Sequence, residues 1–180
     1  MSKSGLVGSP LSLNALREDL QVSHQTVVRW MQYLERLYNI FRIYPFGGAK
    51  IRAVKKEAKH YHYDWTQIKE ESLRFENLVA CHLLKWCHFM EDTQGFEMEL
   101  RYFRDTDKRG VDFVVLQESK PIYFIESKLS AQEASPHLLY LSKKFPDVPA
   151  YQIHLQGEKD VKTKEGIIIQ PASKFLGGFV

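Results

Sequence analysis

Asp112, Glu126 and Lys128 are the residues whose types and spacing could do chemistry. They lie in the stretch G-V-D-F-V-V-L-Q-E-S-K-P-I-Y-F-I-E-S-K, from Gly110 to Lys128. The stretch reads as two apolar strands, Val111–Leu116 and Ile122–Ser127, joined by a polar turn over Gln117–Pro121. Side chains alternate along a strand, so Glu126 and Lys128 project to one face. A hairpin register that sets Asp112 across from Glu126 assembles Asp, Glu and Lys at one spot. Two carboxylates in an apolar wall strongly disfavour both being charged unless a cation sits between them. Either the pair is built for a metal, or one member escapes to solvent.

The elements around the hairpin must position it. A long helix is expected from about Glu70 to Met90, with Leu73, Glu76, Val79/Ala80 and Leu83 along one stripe, so that Glu76 interrupts an apolar face. By itself Glu76 reads as an edge residue reaching water. Met98–Arg104 reads as a strand and Ser135-Pro136 as the opening of a helix through Phe145. Ala150–Leu155 and Gly166–Gln170 read as two more strands. This half is a mixed α/β (α+β) domain, a central sheet flanked by helices, over residues 63–180. Cys81 and Cys87 are packing residues without a nucleophile context, and the apolar end Phe175–Val180 is a candidate docking surface.

The first half differs in charge. Residues 1–62 hold ten Lys and Arg against four Asp and Glu, whereas the remainder is acidic. Residues 1–10 are small and polar, expected to be a disordered leader. Ser12 can cap a helix over Leu13–Leu20, and a second helix runs from Ser23 to about Tyr38, with Val27, Trp30/Met31, Leu34 and Leu37 at helical spacing. A strand over Ile40–Phe46, a Gly47–Lys50 tip and a return strand over Ile51–Val54 complete a winged helix-turn-helix over residues 11–62. Gln25, Arg29, Gln32 and Arg36 form the outer stripe of the second helix, either a solvated face or one that reads base edges. Lys50, Arg52, Lys55, Lys56 and Lys59 are the candidates for phosphate contact. In His60-Tyr-His62-Tyr-Asp64-Trp65, a half-exposed strand explains the alternation more cheaply than a ligand set does. The two cysteines form no metal-binding or disulfide framework, and no apolar run approaches the about 18 residues of a membrane span. A soluble cytoplasmic protein is expected.

A glutamate on a long helix, V-D at a strand start and E-x-K on the next strand resemble the PD-(D/E)XK nuclease superfamily; here they are Glu76, Asp112, Glu126 and Lys128. With the winged helix, K-H-Y-H-Y-D-W and R-F-E-N-L-V in the same order, Leu11–Phe175 is similar to the C-terminal domain-of-unknown-function region of bacterial and archaeal AAA-type ATP-binding proteins. Val111 stands where the superfamily has proline. No G-x-x-x-x-G-K-[ST] phosphate loop occurs, so there is no ATP site in this chain, and an ATPase module would have to be cut away, lost or carried on another chain. The resemblance implies a restriction-endonuclease-like sheet and a Mg²⁺ or Mn²⁺ ion on Asp112 and Glu126. It implies Lys128 beside the scissile phosphate and Glu76 as a further ligand or water holder. The expected partners are DNA and an AAA-type ATPase, with no membrane. The alternative is a non-catalytic DNA-binding or regulatory module whose nuclease-like site is a vestige. A transcription regulator using the winged helix alone leaves the carboxylates unexplained.

Overall fold

The computed structural model describes residues 7–47, 58–107 and 109–179. Helix α1 spans Leu13–Leu20 and α2 spans His24–Arg36; each is capped by a serine, Ser12 and Ser23, whose hydroxyl accepts a backbone N–H three residues on. Gln21, in the left-handed region, makes the turn between them. Leu13 and Leu16 of α1 pack on Val27, Met31 and Ile40. The apolar stripe of α2 is narrower than its spacing predicts. Val27 and Met31 are buried, but Trp30, Leu34 and Leu37 face outward because α1 covers only one side of the helix.

Strand β1 (Ile40–Phe46) is the hinge of the architecture. Ile40–Ile43 pairs antiparallel with β2 (Lys59–His62), and Tyr44–Phe46 pairs parallel with β3 (Met98–Arg104). Between β2 and β3 come a short 3₁₀ turn, Trp65–Gln67, and the long helix α3 (Glu71–Gln94). Then follow β4 (Gly110–Gln117), β5 (Lys120–Ser130), α4 (Pro136–Lys144), β6 (Ala150–Gln156), β7 (Val161–Lys162), β8 (Ile168–Pro171) and α5 (Ala172–Leu176). The described strands form one eight-stranded mixed sheet in the order β2-β1-β3-β4-β5-β6-β8-β7. Ladder pairing thus crosses the boundary expected near residue 62. The expected return strand over Ile51–Val54 lies outside the described residues, and β1 takes its partner from Lys59–His62 instead.

Two apolar cores flank the sheet. One holds Phe75, Val79, Ala80 and Leu83 of α3 with Phe113 and Ile125; the other holds Leu138 and Leu141 of α4 with Val111, Val114 and Phe124. The hairpin turn is tighter than the sequence suggests: Glu118 and Ser119 alone make it, both at positive φ, the geometry that matches strand twist.

Two expectations are corrected here. Val7–Pro10 do not belong to a disordered leader, because Val7 bridges to His60 and Pro10 to Lys59, burying Val7. The apolar end is not a free docking surface either. Phe179 sits 4.9 Å from Trp86 and 4.8 Å from Phe175, an aromatic cluster that also takes in Tyr123.

At the end of β2 the backbone is fastened to α3 chiefly by Asn77. Asn77, fully buried, accepts from the His62 N–H at 2.8 Å and donates to the His62 carbonyl at 2.6 Å. Asn77→Ala strips both bonds in a dry site, and we expect urea unfolding to show a loss of about 2–3 kcal/mol. A loss below about 0.5 kcal/mol would mean that the edge strand does not depend on this bridge.

Candidate active site

A register fault aims Asp112. Arg101 of β3 pairs with Val114 and Phe103 with Val111, so Asp112 and Phe113 together face the single residue Tyr102. This is a β-bulge, which re-aims a side chain where strict alternation would not. Its effect is visible in the packing, since Val111 falls in the α4 core while Phe113, two residues on, falls in the α3 core. Asp112, the residue between them, turns to the end of the sheet. On the other side the β4–β5 ladder shifts register only toward the turn, between Val115 and Leu116, and Phe113 stands opposite Ile125. One step further, Glu126 meets the Asp112 backbone, accepting its N–H at 3.3 Å. The Asp112 carboxylate accepts from both the N–H and the hydroxyl of Ser127, at 3.0 and 2.9 Å on Oδ2.

Two lysines neutralise the cluster. Lys128 donates to Glu126 Oε1 at 2.8 Å. Lys59 donates to Glu76 Oε1 at 3.0 Å and lies 3.5 Å from Asp112 Oδ1. The Tyr61 hydroxyl donates to the same Glu76 oxygen at 2.7 Å. All four residues proposed from the sequence for the site, Glu76, Asp112, Glu126 and Lys128, therefore converge. Lys59 was expected in a phosphate-contacting wing, but its side chain is only 10% exposed and points into the acids. Lys59 and Tyr61 share one face of β2, and the structure buries that face, Tyr61 completely.

Burial governs the protonation of the acids. It pushes the Glu76 carboxyl up to about 7, with Asp112 adding repulsion that Lys59 and Tyr61 only partly offset. Glu126 is driven up by burial and by Asp112 in the same way, against Lys128. Lys59 and Lys128 are both raised, the pull of the carboxylates outweighing the burial that works to lower them. Partners on both sides of the Lys59–Glu76 bond thus shift upward, which is consistent because the desolvation of Glu76 exceeds what one ion pair returns.

A cavity of about 290 Å³ opens on the cluster. Lys59, Glu76, Asp112, Arg104 and His137 line it, and Gly8–Pro10 form part of its wall. Gly8 holds φ at +72°, and a Cβ there would come within 3.0 Å of Glu76 Oε1, so the segment needs glycine to lie against the carboxylate. His137 Nδ1 lies 3.2 Å from the Gly110 carbonyl and fastens the start of β4, two residues before Asp112. The sequence offered no sign of this contact, because it joins residues from two distant elements. The donor set is carboxylate oxygen, which suits Mg²⁺ or Mn²⁺. Among the described residues, no group of three or more His, Cys, Asp or Glu is placed to hold a metal ion. The carboxylates fit the ion in chemistry, and in this arrangement they are committed to ammonium groups.

The remaining candidates stand apart from the cluster. Gln25, Arg29, Gln32 and Arg36 are exposed on α2, and around them Trp30, Tyr33, Leu37 and Tyr38 are exposed as well, Leu37 by 75% and Tyr38 by 73%. Lys50, Arg52, Lys55 and Lys56 lie outside the described residues. The histidine motif forms no ligand set: β2 ends at His62, and Asp64 instead caps the 3₁₀ turn by accepting the Thr66 N–H. Burial raises the thiols of Cys81 and Cys87 to about 11 and about 12, so both are inert.

Fold and cluster together define a mixed α/β protein with a buried acid–lysine site at one end of its sheet. Residues 73–175 match a domain of unknown function, DUF4143, and residues 2–66 match a second, DUF8612. The first match covers more than half of the chain, and the protein belongs to the DUF4143 family. No curated protein and no solved structure matches it. No helix among the described residues is long and apolar enough to cross a membrane.

A carboxyl raised on folding stabilises the folded state below its unfolded value and loses that contribution as pH rises through the folded one. Glu76 therefore costs stability progressively between pH 4.5, its ordinary value, and about 7. Glu76→Gln removes that dependence. The stability of the variant relative to the parent should rise from pH 4.5 to 7 and level off above, measured by urea unfolding at a series of pH values. A difference independent of pH would show that Glu76 is not held as a neutral-leaning acid.

Proposed function

We propose that this protein is a nuclease-like hydrolase of nucleic acid phosphodiester bonds, dependent on Mg²⁺ or Mn²⁺ and accessory to an AAA-type ATPase in the cytoplasm. The observation that carries the reading is the convergence of Glu76, Asp112, Glu126 and Lys128 from three separate elements, with Glu76 and Asp112 lining one cavity. A β-bulge aims Asp112, and bulges are over-represented beside active sites, where they re-aim a side chain. When bound, the metal would polarise the scissile phosphate and lower the pKa of a coordinated water. Asp112 would hold it, with Glu126 or Glu76 as the further carboxylate. Lys128, tethered on Glu126 and one-third exposed, offers its ammonium to the charge that develops on the phosphate oxygens. The exposed Arg29 and Arg36 of α2 supply phosphate contacts, and Gln25 can hydrogen-bond base edges.

A second reading has its own support. Lys59 and Lys128 already satisfy the acids, and Gly8 lies against Glu76, which suits a non-catalytic DNA-binding or regulatory module as well. The aromatic residues around Arg29 and Arg36 equally suit a partner protein such as the ATPase.

The deciding experiment is cleavage of single- and double-stranded DNA and RNA with Mg²⁺ or Mn²⁺. The parent should cut, Asp112→Ala should not, and Lys128→Ala should be slower by about a hundredfold or more while still folded by circular dichroism. No cleavage by the parent on any substrate, with or without an added ATPase, would favour the second reading. DNA affinity of the full chain should fall steeply with salt, and Arg29→Ala or Arg36→Ala should reduce the slope by about one phosphate contact each. A flat salt response removes nucleic acid from the reading of α2.

A further inference from the structure

We propose that Lys59 is the resident counter-ion of the acidic site and competes with the divalent ion for Glu76 and Asp112, so that the site binds its metal weakly. This rests on the metal-dependent reading above. The Lys59 ammonium lies 3.0 Å from Glu76 Oε1 and 3.5 Å from Asp112 Oδ1, between the helix that carries one acid and the strand that carries the other. It is not a casual surface pair. Lys59 belongs to β2, its strand is bridged by Pro10 on one side and paired with Ile43 on the other, and its ammonium lies 5.6 Å from the centre of the Tyr102 ring. The residue is 8% exposed.

The charge count at the site explains why this matters. Glu76, Asp112 and Glu126 bring three negative charges when ionised, and Lys59 and Lys128 bring two positive ones. A dication that bridges Glu76 and Asp112 must enter within a few ångström of the Lys59 ammonium, and the repulsion between them is large where water is scarce. Either Lys59 withdraws or the ion stays weakly held. For an ion held by Glu76 and Asp112, Lys128 does not interfere in the same way, because its ammonium bonds Glu126 rather than the pair that lines the cavity. The two lysines therefore have different parts: Lys128 faces the chemistry, and Lys59 sets how readily the metal arrives. Lys59 is a positioning residue in this scheme, and it keeps two repelling carboxylates together when no ion is present.

Mn²⁺ binding to the full chain by titration calorimetry, at about pH 8 where the carboxyls are ionised, tests the idea with Lys59→Met and Lys59→Arg. Lys59→Met keeps the length of the side chain and removes its charge. It should bind Mn²⁺ at least about tenfold more tightly than the parent, melt at a lower temperature without metal, and regain most of that loss when Mn²⁺ is added. Lys59→Arg should bind as weakly as the parent. Equal affinity in the parent and Lys59→Met, with binding abolished in Asp112→Ala, would overturn the role of Lys59 and leave the metal site standing. No binding by any of the proteins would overturn this inference and the metal-dependent reading together. Should Lys59→Met fail to fold, the parent decides the matter. With lysine labelled at ¹³Cε, the Lys59 signal should move as Mg²⁺ saturates the site, and a stationary signal during binding overturns the proposal.

Discussion

Three carboxylates buried at the end of one sheet are the constraint on which the rest of this structure depends. Acids so close cannot all remain ionised in an apolar setting without cations, and the fold supplies two by different routes. Lys128 comes with Glu126, two residues along the same strand. Lys59 comes from an edge strand in the basic half of the chain, which is drawn into the sheet as a result. The ion pair between Lys59 and Glu76 is thus also a fastening between the two matched families of residues, 2–66 and 73–175.

The pairing of strands carries the same message. β1 gives its first half to β2 and its second half to β3, so the helix-turn-helix segment is attached through a ladder rather than a linker. Asn77, the residue after Glu76, holds β2 from the side of α3, and Tyr61 from β2 reaches Glu76 directly. Phe41 stacks on Tyr61 with ring centres 5.6 Å apart, and Tyr61 meets Phe113 at a tilt, 5.9 Å apart, in the core on the α3 side of the sheet. Removing water from these carboxylates raises Glu76 toward neutrality and makes each remaining hydrogen bond count for more.

Much of this was legible in the sequence. The alternation of apolar residues located β3, β4, β5 and β6 within a few residues, and the stripe of α3 set Glu76 among apolar positions, although by itself it read as an edge residue reaching water. The meeting of Asp112 and Glu126 was open to the sequence only as one possible hairpin register, and the register shift between Val115 and Leu116 is what delivers it. What the sequence hid were contacts between distant elements. Lys59 looked like one more lysine in a basic run, and only the pairing of β2 at the sheet edge buries it. Val7–Pro10 looked like a polar leader, yet backbone bridges require no particular side chain and leave no periodic trace. The bulge at Asp112 was equally invisible, since the residues on either side of it are apolar in either register. The outward turn of Trp30, Leu34 and Leu37 was hidden because spacing gives the direction of a stripe but not the width of what covers it.

The same bonds that make the site make the fold, and this changes what each residue can testify. Glu76, Lys59 and Tyr61 hold an edge strand to a helix, so a chain that never cut anything would still have reason to keep them. Asp112 tethers β5 through Ser127 and is partly explained in the same way. Lys128 is different. It is one-third exposed, lies at the end of a strand, and bonds an acid that a neutral glutamine could replace at lower cost in burial. A buried glutamate paired with a half-buried lysine is expensive as architecture, and the ionised pair would present a positive charge beside an electron-rich group. Of the four residues, Glu126 and Lys128 therefore carry most of the argument that the site acts on a substrate, while Glu76 and Asp112 carry most of the argument for where it would bind.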